Sequence, residues 1–135
     1  MGLPLFAQTR PSPETVTFPV VPNSSANKGV QLKAQFYMPA DLRRPVSAVI
    51  IAPSSGGVKA HIELHYADAL ADAGIAALVI DSFGSRGLTN SVRDQSVLTP
   101  FRSTNDAFGG FYWLAGDKRF RTDCIGITGV LLRSQ

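Results

Sequence analysis

The sequence contains little cysteine, few charged residues and no long apolar segment. Its one cysteine, Cys124, cannot form a disulfide within the chain, so cysteine usage leaves the cellular compartment open. The longest apolar runs, such as AVIIAP and IAALVI, are as long as a strand and far shorter than the roughly 20 residues that cross a bilayer. The sequence therefore predicts no membrane span and a single globular domain over residues 1–135.

Signatures of other ligand classes are also missing. The 13 Lys and Arg residues give a net charge of +3, but they are scattered and form no basic stripe, which argues against nucleic-acid binding. Neither a P-loop nor a Rossmann glycine motif occurs, which argues against a nucleotide. His61 and His65 have the spacing of two metal ligands on a helix, but no third ligand is evident nearby. We expect no metal and no cofactor.

The first residues, MGLPLFAQTR, lack the charged start and the apolar length of an export signal. We expect residues 1–13 to form a flexible N-terminus and the protein to be cytoplasmic. The alternative is that these residues are the tail of an export signal whose start lies upstream. In that case the protein would be periplasmic or secreted.

Apolar periodicity predicts five strands. Alternation at residues 15–20 and 31–38 predicts two half-buried strands, which we expect to pair antiparallel at a sheet edge. Residues 47–52 and 75–81 are apolar on both faces, as in the interior of a parallel sheet that helices cover on both sides. The last strand, CIGITG, begins at Cys124.

Two helices are predicted between these strands. The first runs from about Ala60 to Gly74, and its expected inner face consists of Ile62, Tyr66, Leu70 and Ala73. The second begins at Ser103 as the N-cap and stops at Gly116, and its expected inner face consists of Phe108, Phe111, Tyr112 and Ala115. Gly109 and Gly110 should weaken this helix by roughly 1 kcal/mol each relative to Ala. The order predicts a three-layer α/β fold with a mostly parallel sheet.

Four sequence blocks follow one another in a specific order. They are VIIAPSSGGV, a helix leading into YADALADAGIAALVIDSFGSRG, a helix with DAFGGFYWLA, and IGITG. This order resembles the dienelactone hydrolase branch of the α/β-hydrolase family, in which HGxGG, a strand ending DSFGPRG, and GxSxGG or GxCxGG commonly occupy these places. The resemblance covers about residues 31–129, and DSFGSRG is its most specific part. It implies the N-terminal portion of an α/β-hydrolase domain.

The resemblance also implies where an oxyanion would be stabilised. The oxyanion loop falls on residues 53–57, and the backbone N–H of Ser54 or Ser55 is the candidate donor, since Pro53 has no N–H. Arg86 lies at the carboxyl end of its strand, where it can bind a substrate carboxylate or, alternatively, order the loop. We expect Asp81 to hold this loop by hydrogen bonds.

The nucleophile is missing where the resemblance implies it. Gly129 matches the first glycine of the nucleophile elbow, so Ser or Cys is expected at position 131 and a small residue at 133, yet the sequence has Leu131 and Arg133. In this family the acid and the histidine follow the nucleophile in chain order, so no triad is recognisable. The abrupt loss of pattern after Gly129 is typical of a shifted reading frame or an early stop. A divergent short protein and a deliberately shortened one are the alternatives.

These observations predict the N-terminal portion of an ester or lactone hydrolase that is inactive as it stands. Its complete form would act on a small-molecule ester or lactone. The alternative is a non-catalytic binding or interaction protein on the same scaffold. Because the family's sheet continues beyond this last strand, we expect residues 125–129 to form an open apolar edge that favours self-association.

Overall fold

The computed structural model of the chain describes residues 10–20, 30–41, 45–53, 58–60, 62–87 and 100–129. All five predicted strands and both predicted helices are present, and a single turn of 3-10 helix, Gly84–Arg86, follows the fourth strand. In chain order the strands and α-helices are β1 (Glu14–Pro19), β2 (Gln31–Tyr37), β3 (Val46–Ala52), α1 (Glu63–Asp72), β4 (Ala76–Asp81), α2 (Pro100–Ala115) and β5 (Phe120–Gly129).

The five strands form one mixed sheet in the spatial order β1-β2-β4-β3-β5. β1 and β2 pair antiparallel, as predicted, and β2 pairs antiparallel with β4. β3 is parallel to both of its neighbours, β4 and β5. Since α1 and α2 pack against opposite faces of this sheet, the predicted three-layer α/β fold is confirmed.

Strand alternation divides the core into two layers. On one face, Leu78 and Ile80 of β4 pack with α2 residues such as Leu114. On the other face, Ala77 and Val79 of the same strand pack with α1. β4 is therefore buried on both faces, as its continuous apolar sequence predicts. A fully buried side chain the size of Ile80 contributes about 1.5–3 kcal/mol through removal of apolar surface from water.

A row of aromatic rings in contact runs through the α2 layer from one side of the sheet to the other. Phe18 of β1 stacks on Trp113 of α2, with ring centroids 5.8 Å apart. Trp113 meets Phe36 of β2 edge-on at 5.1 Å, and Phe36 meets Phe120 of β5 at 5.7 Å. Such edge-to-face pairs stabilise beyond the area they bury. This row of aromatic contacts joins β1 and β5 to the same layer of the core.

The first helix buries a different face from the one predicted. It begins at Glu63 rather than near Ala60, and its buried residues are Glu63, Ala67 and Ala71. Tyr66 and Ala73, which we expected inside, are exposed, while Ile62 and Leu70 are half-buried. The two alanines let the helix lie close to β4, so small size outweighs hydrophobicity in choosing the inner face. Gly74 ends the helix with a φ of +91°, as predicted.

The second helix also differs from its prediction at both its start and its face. It begins at Pro100, so Ser103 is inside the helix and is not the N-cap; proline is well suited to the first turn because its missing N–H has no partner there anyway. It ends at Ala115, before Gly116, as predicted. Phe108 and Tyr112 are 47% and 63% exposed, and the other two expected inner residues are half-buried. The buried face consists of Asn105, Asp106, Ala107, Gly109, Gly110 and Leu114.

The glycine pair decides which face of α2 turns inward. A Cβ atom on Gly110 would lie 3.1 Å from Ile80 Cδ1 and 3.2 Å from Leu78 Cδ2. A Cβ atom on Gly109 would lie 3.1 Å from the carbonyl oxygen of Pro19. These distances are tighter than ordinary side-chain packing, so the glycines permit the close approach of helix and sheet. Glycine weakens an isolated helix, but at these two positions it lets α2 pack closely on the sheet.

The last strand is longer than predicted. β5 begins at Phe120, four residues before Cys124, so this half-buried cysteine lies within the strand and not at its start. A register irregularity between Val46 and Ala48 of β3 accommodates the added residues. Phe120 is buried, whereas residues 126–129 are exposed.

An ion-pair cluster attaches the start of the described chain to α1. The Arg10 guanidinium lies 2.6 Å from Asp68 Oδ1 and 2.8 Å from Asp72 Oδ1. The hydrogen bond with Asp68 raises the pKa of Arg10. Both carboxylates are more than half exposed, so solvent screening keeps the contribution of this cluster small. Arg10 belongs to the stretch for which flexibility was predicted; residues 1–9 lie outside the described part.

Candidate functional site

The carboxyl ends of β3 and β5 lie side by side. Ala52, the last residue of β3, is the ladder partner of Gly129, the last residue of β5. The chain continues from Ala52 into the predicted oxyanion loop, residues 53–57, and from Gly129 towards Leu131 at the elbow position. Adjacent strands are about 4.8 Å apart, so the two segments leave the sheet from neighbouring points. A loop donor and an elbow residue have to meet in this arrangement for acyl-transfer chemistry.

The predicted oxyanion donors lie outside the described residues. This applies to Ser54 and Ser55, as it does to Leu131 and Arg133 beyond β5. Pro53 is described and is half-buried at the end of β3. The assignment of the donors therefore stays a prediction, based on the position of the loop at the end of β3.

The segment after β4 is a turn held together by Asp81. Its Oδ1 accepts a hydrogen bond from the Gly84 N–H at 2.8 Å. The Ser85 hydroxyl donates to the Asp81 carbonyl oxygen at 2.5 Å and accepts from the Lys33 N–H of β2 at 2.8 Å. A Cβ atom on Gly84 would overlap the Asp81 carboxylate, so a larger residue there would push this side chain away from its hydrogen bond. The prediction that Asp81 orders this loop by hydrogen bonds is confirmed.

Arg86 is the last residue of the 3-10 turn Gly84–Arg86, and Gly87 follows it with a φ of +72°. Its backbone therefore lies at the carboxyl side of β4, as predicted, whereas its side chain lies outside the described part. The choice between substrate binding and loop ordering for Arg86 stays open. The left-handed conformation at position 87 explains why the motif ends in glycine.

An open cleft of about 330 Å³ lies on the α1 face, at the level of Asp81. Polar and apolar residues both line it, and two of them are joined by a hydrogen bond from Gln35 Nε2 to Thr15 Oγ1 at 2.9 Å. Its lining residues are Thr15, Lys33, Ala34, Gln35, Val58, Leu64, Val79 and Asp81. A mixture of apolar and polar lining residues is the usual make-up of a ligand site.

Sequence reasoning missed the buried carboxylate of Glu63. This side chain is fully buried at the first residue of α1, and its Oε1 accepts a hydrogen bond from the Lys59 N–H at 2.9 Å. A carboxylate is favourable at a helix N-terminus, where the backbone N–H groups give a partial positive charge. Glu63 thus fixes the path of the chain between the predicted oxyanion loop and α1. The sequence feature that could have revealed it is the position of this acidic residue in the first turn of the predicted helix.

The other reactive residues do not assemble into a second site. Cys124 lies five residues before Gly129, roughly 16 Å from the carboxyl end of β5 at the usual rise of a strand, so it is not an elbow nucleophile. His65 makes an edge-on contact with Tyr66, with ring centroids 5.8 Å apart, and His61 is outside the described part. Across the described ranges, no group of three metal-ligating side chains is found, and no helix is both long and apolar enough to cross a bilayer.

Comparison with known proteins identifies the fold. No protein-family profile and no curated protein sequence matches the chain. Among solved structures, a Klebsiella pneumoniae protein assigned as a dienelactone hydrolase matches with a TM-score of 0.66 and 20% identity, over 88% of this chain and 50% of its own. The dienelactone hydrolase of Anabaena variabilis matches with a TM-score of 0.64 and 21% identity, over 90% and 53%. A dienelactone hydrolase-like promiscuous phosphotriesterase, P91, from metagenomic libraries matches with 0.62 and 16%, over 88% and 49%.

The fold of this chain is thus that of dienelactone hydrolase-like α/β-hydrolases. The strand order β1-β2-β4-β3-β5 and the resemblance of the sequence blocks lead to the same class. The chain spans about half the length of these three solved structures. At these identities the likeness concerns the fold, and the activity is argued separately below.

Proposed function

We propose that this chain carries the oxyanion-loop side of an ester- or lactone-hydrolase scaffold and has no elbow nucleophile of its own. The pairing of Ala52 with Gly129 is the observation that supports this proposal. These two residues are where the chain leaves the sheet towards the candidate donors and towards the position expected for a nucleophile. The resemblance of DSFGSRG and the hydrolase-like neighbours favours acyl transfer over other chemistry at this edge.

The roles proposed for these residues follow from the mechanism of triad hydrolases. In a triad hydrolase, a nucleophile at the elbow attacks the substrate carbonyl, and backbone N–H groups stabilise the oxyanion that develops. Ser54 and Ser55 offer such N–H groups, but Leu131 offers no nucleophilic atom. Loss of triad members lowers the rate by about 10⁴ to 10⁶. We therefore expect no triad-dependent hydrolysis from this chain.

The experiment measures hydrolysis of a short p-nitrophenyl ester by the purified 135-residue chain, together with labelling by a fluorophosphonate probe. We expect turnover no faster than that of an equal mass of unrelated protein, and no labelled serine. Because the proposed Ser54 and Ser55 contributions come from the backbone, the Ser54→Ala and Ser55→Ala variants should behave identically. Turnover that the probe abolishes, with one serine labelled per chain, would refute the proposal.

A second candidate function is non-catalytic binding on the same scaffold. The observation that favours it is the cleft of about 330 Å³, whose lining combines Lys33 and Asp81 with apolar residues such as Leu64. Titration calorimetry with a small lactone, on the wild-type chain and on Leu64→Trp, tests this alternative. Binding that the bulky substitution abolishes supports it, whereas no heat of binding in either chain rejects it for that ligand.

A further inference from the structure

A cation and an anion stand side by side on the α1 face of the sheet. Along β2, Lys33 and Gln35 alternate with residues of the α2 layer, so their side chains lie on the opposite face of the sheet. Asp81 of β4 is the ladder partner of Lys33. Partners across an antiparallel ladder have Cβ atoms about 4.5–5.5 Å apart, so one small molecule can reach both side chains. Both residues line the cleft of about 330 Å³.

The turn after β4 keeps these two charges from neutralising each other. The Asp81 carboxylate bonds back to the turn, where its Oδ1 accepts the Gly84 N–H at 2.8 Å. The Ser85 hydroxyl joins the two backbones, since it accepts from the Lys33 N–H at 2.8 Å and donates to the Asp81 carbonyl oxygen at 2.5 Å. Within the described part of the chain, the Lys33 ammonium forms no ion pair and Asp81 Oδ2 accepts no hydrogen bond. One charged donor and one charged acceptor are therefore available to a ligand.

The rest of the lining supplies apolar surface and one more polar pair. Val58, Leu64 and Val79 line the cleft and belong to the α1 layer of the core. Gln35 Nε2 donates to Thr15 Oγ1 at 2.9 Å, so the Thr15 hydroxyl keeps its own hydrogen for another acceptor. This combination matches a ligand with a short carbon chain, one anionic group and one hydroxyl group.

We propose that the cleft binds a small hydroxy acid, whose carboxylate pairs with the Lys33 ammonium and whose hydroxyl donates to Asp81 Oδ2. The proposal rests on the second candidate function, binding at this cleft, and names the class of ligand. The volume of about 330 Å³ is near the lower end of the range for ligand sites, which suits a short-chain acid.

The two charges favour a hydroxy acid over related molecules. A lactone is the same molecule before water opens its ring, and it has neither a negative charge for Lys33 nor a hydroxyl hydrogen for Asp81. A plain carboxylic acid pairs with Lys33, but it brings apolar carbon next to Asp81 Oδ2, and covering a carboxylate oxygen without a donor is unfavourable. Only the ring-opened hydroxy acid satisfies both groups at once.

The first test is titration calorimetry of the purified 135-residue chain with γ-hydroxyhexanoate and with its lactone. We expect the hydroxy acid to bind at least about tenfold more tightly, because hydrogen bonds to charged groups are the strong ones. Lys33→Met should weaken its binding by about tenfold or more. Lys118→Met makes the same change at an exposed lysine outside the cleft and should leave the affinity unchanged. Leu64→Trp, which fills the cleft, should abolish binding, and circular dichroism shows that the variants fold.

The second test assigns the hydroxyl contact, using Asp81→Asn with γ-hydroxyhexanoate and with hexanoate. Asparagine keeps a carbonyl oxygen for the Gly84 N–H, so the turn retains its hydrogen bond. The variant should bind the hydroxy acid several-fold more weakly, whereas hexanoate should bind equally well or more tightly, because a neighbouring negative charge is gone. An equal loss for both ligands would mean that Asp81 acts only through the fold, and it would overturn the hydroxyl contact.

The titrations separate failure of the ligand class from failure of the cleft as a binding site. If the lactone binds as tightly as the hydroxy acid, or if Lys33→Met changes nothing, the cleft is a binding site but the hydroxy-acid proposal is wrong. If none of the three compounds gives a heat of binding, both the proposal and the second candidate function are rejected.

Discussion

The two outer strands of the sheet, β1 and β5, are packed against the rest of the molecule in different ways. β1 is held by α2 near its end: Phe18 is 2% exposed and stacks on Trp113, and the carbonyl oxygen of Pro19 lies close to Gly109 of α2. β5 is anchored at its start by the buried Phe120, and its last four residues are exposed. The edge with the better packing carries no predicted site residue, whereas the edge with the poorer packing leads directly to the elbow position. Among the described residues, the exposed end of β5 is thus the end that points to the predicted elbow.

The largest expected effect comes from shortening one apolar side chain on each edge. Phe18→Ala removes a buried ring and its contact with Trp113, so it should lower the free energy of unfolding by about 3–5 kcal/mol. Ile127→Ala removes a side chain that is already 54% exposed, and it should cost less than about 1 kcal/mol. Urea denaturation at a concentration where the chain is monomeric measures both. Equal losses would contradict the contrast between the edges.

Adding a side chain at a glycine gives the next largest effect. Gly109→Val introduces atoms against the Pro19 carbonyl oxygen, which is backbone and cannot swing aside, so we expect a loss of about 1–3 kcal/mol. Gly126→Val introduces the same atoms where nothing lies within 4 Å of the Cβ position. Thermal unfolding should show a lower midpoint for the first variant and an unchanged or higher one for the second. The reverse order would mean that the docking of α2 on β1 is described wrongly.

The smallest expected effect concerns the turn that leads into β5. Hydrogen bonds from Arg119 lower the pKa of Asp117, and the shortest joins Arg119 Nη2 to Asp117 Oδ2 at 2.6 Å. A carboxyl group whose pKa is lowered by folding stabilises the fold above its ordinary value of 3.8, and this contribution is lost as the pH falls through the lower, folded value. Because the pair is partly exposed, we expect less than about 1 kcal/mol.

The variant Asp117→Asn checks this sign. At neutral pH it should be slightly less stable than the wild type. The difference should shrink as the pH falls below the ordinary pKa of the carboxyl group and disappear below its lowered, folded pKa. Denaturation curves at several pH values measure it. If the difference in stability grows as the pH falls, the stabilising role given to this ion pair is wrong.

The approximate positions of the strands and helices follow from the sequence because the signals are strong and local. Runs that are apolar on both faces, such as residues 75–81, have few alternatives to a central strand. The DSFGSRG block likewise predicts the turn after β4, since Asp81 and Gly84 must occupy fixed places for the observed hydrogen bond. These parts depend on neighbours only a few residues away in the chain.

The inner faces of the helices could not be predicted in the same way. Hydrophobic periodicity favours Tyr66 in α1 and Phe108 with Tyr112 in α2, yet all three are exposed. The preference for Ala67 and Gly110 arises from the distance between helix and sheet, which is a tertiary property that no local pattern encodes. Glu63 is a similar case, because a buried carboxylate is acceptable only where backbone N–H groups of the folded chain receive it.

The central claim is that β3 and β5 deliver their following segments to the same place, with Ala52 beside Gly129. Disulfide trapping tests it most directly, using Ala52→Cys with Gly129→Cys in the Cys124→Ser background and Ala52→Cys with Ile127→Cys as the control. We predict an intramolecular disulfide in the first pair and none in the second, because Ile127 is level with Ile50 and lies beyond the reach of a disulfide from position 52. A cross-link in the control pair alone would contradict the account, since the oxyanion loop and the elbow would then leave the sheet at different levels.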